Sequence, residues 1–467
     1  MSKRTDATRA LLITLALAVA TPAVAIPAFA RKYGTSCLTC HTVYPKLTPF
    51  GEAFRRNGYR FPGVDSDKIK AEQVALGQES NKKTFPSTVW PASIPTAVPL
   101  SVGANGTGFV NPKHSSAGKA ANGASVQLGG LAAEGHLWAG ASLDDTITTW
   151  AEVTFADGGA DVEHAQILFN DLLGPAHSVN VVVGHGFPTI SQFGAHSSYL
   201  ADALIPTVPV TAIYQADTDP WTLVDNYTGV EVNGVLGGRF DYALGVNAGK
   251  QAVSASTDNV YGHLGFKLGG LSLDGESSAG GEDALRPWAE DSLGAYVFGY
   301  QANTRFDEGA GAVVGNDVAT VYGGGARGQL GSAELNVGYY SEAHKRGGGA
   351  GAKVTASVAY GELSYVVYPW MVPAIRVTSA TLKPQGGASV SDLHIAPGVA
   401  FAIRPNVKLV VVANFESASG FPSVAGAPVA WQGGAGDWIP LQIAPPASGK
   451  TKLNEFENVG LFLAWAM

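Results

Sequence analysis

The chain of 467 residues is poor in charge, because Asp, Glu, Lys and Arg make up 15% of it against about 25% in soluble globular proteins. Hydrophobic residues reach 46%, and the 59 glycines disfavour a helical fold because glycine is costly inside helices. The net charge of −8 argues against nucleic acid as a partner. Beyond the N-terminus the sequence contains no apolar run of about 18 residues, which excludes membrane-spanning helices.

Residues 1–25 have the organisation of a secretory signal peptide. Lys3, Arg4 and Arg9 provide a basic start, the apolar stretch ALLITLALAVA follows, and small residues at 23–25 offer a cleavage site. An uncleaved anchor helix is the alternative, but the apolar stretch is short for that role. We therefore predict export from the cytoplasm.

The next segment, residues 26–63, contains both cysteines of the chain in the pattern C-x-x-C-H, formed by Cys37, Cys40 and His41. Two thiols one helical turn apart suit thioether bonds to the two vinyl groups of one porphyrin, and the adjacent histidine then lies where it ligates the iron. A redox disulfide would be expected in a βαβ context, and a zinc site would need four ligands. The pattern predicts one covalently attached c-type haem held by these three residues.

The residues that follow the motif predict a short helix that covers the porphyrin. Thr48 is placed to cap this helix, Pro49 to occupy its first position and Gly58 to end it. Phe50 and Phe54 are four residues apart and therefore share one face. We expect this face to pack against the haem; packing against the barrel wall or the linker is the alternative.

Residues 64–97 are polar and proline-rich, and they are predicted to form a linker or a strap along the lumen. From residue 98 to 467 the chain alternates between apolar and polar positions, as in AELNVGYYSE, VKLVVVANFE and the C-terminal ENVGLFLAWAM. Such alternation is typical of transmembrane strands that face lipid on one side and a lumen on the other, although a soluble β-sandwich has the same period.

Turns and aromatic residues favour the membrane alternative. Tight turns are predicted at residues 330–332 and 404–406, and long loops at 341–353 and 417–451. Tyr365, Tyr368 and Trp370 lie near one predicted turn, and Trp465 near the C-terminus, as expected for interfacial aromatics. We predict an all-β fold, a transmembrane antiparallel β-barrel of about 16 strands in the outer membrane. A small, mostly α c-type haem segment precedes it, with the haem at the periplasmic side or in the lumen.

The stretch AIPAFARKYGTSCLTCHTVYPKLTPFGEAFRRNGYRFPG, continued by VWPASIPTAVPLS, resembles the outer-membrane monohaem cytochrome c–porin fusions. In this family one c-type haem precedes a porin barrel, and the family includes the iron-oxidising outer-membrane cytochromes. Those iron oxidases carry a basic residue and F-K-L-x-G-Y after LTPFG, whereas this chain has Glu52 and FRRNGY. The resemblance therefore implies the haem-and-barrel architecture and is closer to the broader set of fusions, whose electron partner is unsettled.

One haem on a membrane barrel suggests one-electron transfer across the outer membrane. The expected partners are a periplasmic c-type cytochrome or other carrier on one side, an extracellular donor or acceptor such as iron on the other, and the surrounding lipid. The alternatives are a solute porin whose haem segment acts as a plug or redox gate, and a haem-based enzyme or sensor. His41 is the predicted axial ligand of the iron. The sixth ligand is left open among Met371, His136, His164, His263 and His394.

Overall fold

The computed structural model describes most of the chain after the predicted signal peptide, which itself lies outside the described residues. The described ranges are 28–77, 79–84, 93–96, 99–112, 126–128, 130–131, 133–156, 158–193, 197–200, 204–206, 221–248, 259–276, 286–307, 313–345, 353–386, 388–420 and 452–467.

The N-terminal segment consists of short elements. Its helices are α1 Ala28–Tyr33, α2 Cys37–Cys40, α3 Pro49–Arg56 and α4 Glu79–Thr84, with a 3-10 turn at Asp65–Lys68. Two small hairpins accompany them: β1 His41–Val43 pairs with β2 Lys46–Leu47, and β3 Gln73–Ala75 pairs with β4 Ser93–Pro95. The small helices before the barrel agree with the sequence prediction.

Sixteen long strands close into one antiparallel barrel, as predicted. Each strand pairs with its sequence neighbours, and the last pairs with the first, with Leu461 opposite Gly108. A two-residue strand, β6, pairs with the end of β5. The strands are β5 Leu100–Val110, β6 Val126–Gln127, β7 Glu134–Ser142, β8 Ile147–Ala156, β9 Gly159–Phe169, β10 Asn180–Gly186, β11 Tyr227–Leu236, β12 Phe240–Ala248, β13 Asn259–Gly269, β14 Glu290–Asp307, β15 Val313–Gly331, β16 Ala333–His344, β17 Val354–Tyr365, β18 Met371–Pro384, β19 Val390–Arg404, β20 Val407–Ser419 and β21 Lys452–Ala466.

The barrel wall places apolar side chains outside and charged side chains inside. Leu244, Leu264 and Leu330 are 64–74% exposed on the outer surface, whereas Glu342 and Glu362 are 1% exposed. This distribution is the reverse of that in a soluble protein, where apolar side chains are inside. It is the pattern of outer-membrane barrels, whose outer surface is covered by lipid. No helix within the described part of the chain is long and apolar enough to cross a membrane. The protein is an outer-membrane β-barrel.

The alternation predicted for individual strands is confirmed. In β16 Leu335, Val337 and Tyr339 face outward, while Glu334 and Asn336 are buried inside. The tight turns predicted at 330–332 and 404–406 are present as well. The long loops are shorter than predicted, because β16 continues through residue 344 and β20 through residue 419; residues 346–352 and 421–451 lie outside the described ranges.

Most turns at one rim of the barrel are short, although residues 270–289 form a longer connection there. This rim has connections as short as the single residue between β15 and β16, and short turns mark the periplasmic side of such barrels. The N-terminal segment contacts this rim. The Arg60 guanidinium lies 2.9 Å from the Asp171 carboxylate in the turn after β9, and Asn57 Nδ2 donates to the carbonyl oxygen of Asp274 after β13 at 2.7 Å. The segment therefore lies at the short-turn end of the lumen.

The connection between β10 and β11 also contributes to the interior of the barrel. Ile190, Phe193, Trp221 and Leu223 from this connection are buried among tyrosines of the wall. At 2.8 Å the wall hydroxyl of Tyr340 donates to a carbonyl of the same connection. The interior is thus occupied from one end by the N-terminal segment and from the wall by this inward connection.

Candidate functional site

The C-x-x-C-H motif occupies one turn of helix followed by a turn into a strand. Ser36 caps the turn by accepting a hydrogen bond at its Oγ from the Leu38 amide at 3.2 Å. Cys37 and Cys40 lie at the two ends of the four-residue helix α2, and His41 begins β1 directly after it. The predicted one-turn spacing of the two thiols is therefore present.

The environment of the motif disfavours a redox-active thiol pair. Burial raises the pKa of Cys40 to about 12, with nearby Cys37 adding to the effect, and burial raises the pKa of Cys37 as well. Reactive cysteines have a lowered pKa, since the thiolate is the nucleophile. Among the described residues, neither cysteine belongs to a group of three close metal-ligating side chains, which also disfavours the zinc alternative.

The histidine of the motif is held in a geometry suited to ligation. The Nδ1 atom of His41 lies 3.0 Å from the carbonyl oxygen of Pro45, which fixes Nδ1 as the protonated nitrogen and leaves Nε2 for a ligand. A hydrogen bond from the second nitrogen to a backbone carbonyl is the usual support of metal-bound histidine. Burial lowers the pKa of His41 to about 4, opposed by the hydrogen bond to Pro45, so that the ring is neutral at pH 7.

Helix α3 packs directly against the motif. Its N-cap is Thr48, whose Oγ1 accepts from the Gly51 amide at 3.0 Å and donates to the carbonyl of Thr39 at 2.9 Å. A Cβ at Gly51 would collide with the backbone carbonyl of Cys40, so only glycine allows this close approach. The helix ends before Gly58, which has a φ of +67°. The predicted cap and helix end are confirmed.

An aromatic cluster surrounds Phe54 beside the motif. The Phe54 ring lies 5.2 Å from that of Phe29, 5.8 Å from Tyr33 and 5.7 Å from Phe61, all edge-to-face. Phe54 is 5% exposed, whereas Phe50 is half-buried and packs on Phe61 at 5.1 Å. The two phenylalanines therefore differ, and Phe54 is the one that lines the cavity described next.

A cavity of about 410 Å³ extends from the motif into the lumen. All three motif residues line it, with aromatic rings of the N-terminal segment on one side and Trp150 and His164 of the wall on the other. Its size lies in the range of about 300–1,000 Å³ of small-molecule and cofactor sites, which are mostly apolar with a few polar groups. Two thiols, one neutral histidine and an aromatic lining are the residues that a covalent porphyrin requires, so the cavity fits a c-type haem.

Two of the five candidates for a sixth ligand line this cavity. His263 on β13 uses both ring nitrogens, with Nδ1 3.1 Å from the Thr189 carbonyl oxygen and Nε2 3.0 Å from Asp241 Oδ2. His164 on β9 has its Nδ1 3.2 Å from Glu152 Oε2 without a hydrogen bond to any described residue.

The other three candidates lie on the wall and do not line the cavity. His136 on β7 is bonded through Nε2 to Asn105 at 2.9 Å and through Nδ1 to Thr154 at 3.0 Å. His394 is buried within β19, with its exposed fraction at 2%. Met371 is the first residue of β18 rather than a turn residue, and its amide donates back to the preceding turn. Of the five candidates, His164 and His263 are therefore the two that line the cavity.

Buried ion pairs hold the N-terminal segment in the barrel. Lys46 Nζ lies 2.8 and 3.1 Å from the two carboxylate oxygens of Glu334 on β16, and both side chains are buried. Within the segment, Lys32 Nζ contacts Asp65 Oδ2 at 2.9 Å. These pairs were not predicted from the sequence, in which no local pattern links Lys46 to Glu334 or Lys32 to Asp65.

Glu52 on α3 lies at the centre of a positive cluster. Its carboxylate is 3.3 Å from Arg55, 3.8 Å from Arg56 and 3.9 Å from Arg327 of β15. Burial alone would raise the pKa of Glu52, but the surrounding positive charges, to which Lys46 adds, outweigh it and lower the pKa to about 2. Glu52 therefore carries its charge at all physiological pH values and links α3 to the wall.

Comparisons with known proteins add structural neighbours without assigning a family. No protein-family model and no curated protein sequence matches the chain. An outer membrane protein of Vibrio cholerae, OmpT, aligns at 11% identity over 80% of this chain and 98% of that one, with a TM-score of 0.47. An anion-selective porin from Comamonas acidovorans aligns at 12% identity over 79% and 98%, with a TM-score of 0.48. The outer membrane channel DcaP of Acinetobacter baumannii aligns at 11% identity over 80% and 97%, with a TM-score of 0.44.

Proposed function

We propose that this barrel is an outer-membrane electron-transfer protein that carries one covalent c-type haem at its periplasmic end. The observation that carries the proposal is the position of the motif, with Cys37, Cys40 and His41 lining one cavity inside the lumen. A thiol pair with a raised pKa and a histidine braced by a backbone carbonyl suit attachment and ligation better than disulfide chemistry.

Each residue of the motif has a separate role in this proposal. Cys37 and Cys40 would form the two thioether bonds, and His41 Nε2 would ligate the iron while its Nδ1 stays bonded to the Pro45 carbonyl. Phe54 and the neighbouring aromatic rings exclude water from the bound ring. A bound c-type haem supplies one-electron chemistry, and its covalent attachment suits an exported protein.

In this proposal, electrons would enter and leave the haem from two opposite ends of the barrel. A periplasmic cytochrome or other carrier would approach the short-turn rim, where the motif lies. An extracellular donor or acceptor, of which iron is one candidate, would enter the lumen from the side of the long loops. The wall around the motif separates these two routes from lipid.

A solute porin with a plug is the second candidate function, and one observation favours it. The N-terminal segment is held in the lumen by buried ion pairs such as Lys46 with Glu334, as expected for a plug that closes a channel. In this case the motif would control opening, and the segment would leave the lumen when the pore conducts.

The first experiment measures covalent haem and its reduction in the purified full-length protein. The visible spectrum and the haem stain after denaturing electrophoresis should show one haem per chain in the wild type and none in the Cys37→Ala/Cys40→Ala variant. Anaerobic Fe(II) is then added to the oxidised protein. Stoichiometric reduction supports inward electron flow from iron, and reduction by dithionite alone supports another partner. The absence of covalent haem in a wild type matured with a cytochrome c assembly system would refute the proposal.

Conductance in planar bilayers tests the second candidate. Steady conductance that increases when the docking contact is removed by Glu334→Gln would favour a plugged solute channel. An electron-transfer barrel should instead show the same low conductance in the wild type and in Glu334→Gln, while its haem is still reduced. The matched control is Glu342→Gln, another buried carboxylate on β16 that does not contact Lys46.

A further inference from the structure

Three side chains with metal-ligating atoms meet on the wall between β8 and β9. Glu152, Glu163 and His164 each place one ligand atom within 4.8 Å of the others. This group belongs to the barrel wall and does not include the C-x-x-C-H motif.

A β-bulge brings two of these residues to the same face. Glu152 pairs with His164 and Val153 pairs with Val162, so that Glu163 is the extra residue of β9. Val162 points outward at 47% exposure, which turns Glu163 inward, while the shifted register also turns His164 inward. Bulges re-aim side chains in this way and are over-represented beside functional sites.

The distance between His164 and Glu152 matches that between two ligands of one metal ion. His164 Nδ1 lies 3.2 Å from Glu152 Oε2, yet it makes no hydrogen bond with any described residue. Metal–ligand bonds of about 2.1 Å place neighbouring ligands roughly 3.4 Å apart in tetrahedral and roughly 3.0 Å apart in octahedral geometry. The observed separation falls between these two values.

Charge and support around the group favour a cation. Glu163 makes no ion pair with the described part of the chain, and two carboxylates this close repel each other unless a cation lies between them. His136 lies behind Glu152, with its Nδ1 3.2 Å from Oε1, and its ring stacks on Trp138 at 5.2 Å. Carboxylates that ligate a metal are themselves usually held by hydrogen-bonding neighbours, and His136 is placed to do this for Glu152.

We propose that Glu152, Glu163 and His164 bind one divalent first-row transition-metal ion in the lumen. One imidazole nitrogen and two carboxylates are a donor set that Zn²⁺ and its neighbours accept, with further positions open to water. Glu152 and His164 line the same cavity as the C-x-x-C-H motif, so the ion would lie on the wall facing that motif. The proposal removes His164 from the candidates for the sixth haem ligand, and it stands whether or not haem is attached.

The test is a titration of the purified full-length barrel in detergent with Zn²⁺ after treatment with a chelator. Calorimetry should show one high-affinity site per chain. We expect at least a tenfold loss of affinity in Glu163→Gln and in His164→Gln. Asp161→Asn is the matched control, because Asp161 lies on the same strand two residues before Glu163; its affinity should stay within twofold of the wild type.

Two readouts keep the result interpretable. Circular dichroism and heat-modifiable migration of each variant confirm that the barrel is folded. The visible spectrum of the haem-loaded protein should not change in His164→Gln. The proposal is overturned if folded wild type binds no stoichiometric Zn²⁺, or if both variants bind as tightly as the control. It is also overturned if His164→Gln converts the haem from a low-spin to a high-spin spectrum, because His164 would then be an iron ligand.

Discussion

Replacing Glu52 by glutamine should loosen the N-terminal segment from the lumen. The gap between an ordinary carboxyl pKa of 4.5 and a pKa of about 2 corresponds to roughly 3 kcal/mol, since each tenfold change in proton affinity is worth about 1.36 kcal/mol. Glu52 is 4% exposed, so solvent screens this energy little. The variant removes the anion while Arg55, Arg56 and Arg327 stay close together, and we expect the open state of the segment to increase roughly 100-fold.

Hydrogen exchange at the Asn57 amide is the assay, because this amide closes α3 by donating to Ala53 at 2.9 Å in a buried position. Its opening free energy should fall by about 3 kcal/mol in Glu52→Gln. Glu72→Gln, which changes an exposed carboxylate of the same segment, is the control and should leave it unchanged.

The pH dependence of the stabilisation by Glu52 provides a second test. The pKa of Glu52 in the folded protein is below its ordinary value, so its contribution is complete above pH 4.5 and is lost as the pH falls from 4.5 towards 2. The difference in opening free energy between wild type and Glu52→Gln should therefore vanish across this range. A difference that is absent at pH 7, or one that persists unchanged at pH 2, would refute the reasoning.

Four further substitutions probe the packing of the motif and of the segment. Phe54→Ala should destabilise the segment by about 3–5 kcal/mol through the cavity it leaves, and Phe50→Ala by less than half as much, measured by the same hydrogen exchange. Gly51→Ala should lower the covalent haem content per chain several-fold, because the new Cβ displaces α3 from the Cys40 carbonyl. Lys46→Met should cost about 3 kcal/mol of docking free energy, since it leaves a buried carboxylate without its closest cation.

Each of these changes has its own control. For the phenylalanines, equal losses would contradict the assigned difference in burial. Gly328→Ala adds a Cβ where no atom lies within 4 Å, so it should keep a normal haem content, and equal haem content in Gly51→Ala would show that the close approach is dispensable. Lys68→Met removes an exposed lysine of the same segment and should be neutral; an equally neutral Lys46→Met would contradict a docking role for its ion pair.

The wall of the barrel was predictable because its signal is local. Alternation of apolar and polar residues with a period of two specifies both the strand and the face, as in β16, where Leu335 and Val337 face lipid and Glu334 faces the lumen. The C-x-x-C-H motif was also recognisable from the sequence, because Cys37, Cys40 and His41 lie within five consecutive positions.

The interior contacts were not predictable because they join distant parts of the chain. Lys46 and Glu334 are 288 positions apart, and nothing in either neighbourhood indicates the other. The bulge at Glu163 breaks the period of two, so alternation alone assigns one of the two neighbours Glu163 and His164 to the wrong face. Phe50 and Phe54 share a helical face, yet the aromatic cluster buries only Phe54. This difference arises because residues 28–33 pack against Phe54, a contact that the sequence of α3 does not indicate.

The covalent link between the N-terminal segment and β5 makes its docking an intramolecular equilibrium. A covalent link of this kind holds the segment near the short-turn rim at an effective concentration on the order of millimolar. The ratio of docked to undocked segment is then about a thousandfold higher than for a detached segment supplied at micromolar concentration, without any additional contact. Even moderate docking contacts therefore keep the segment in place, and a segment that opens remains tethered to the barrel that it left.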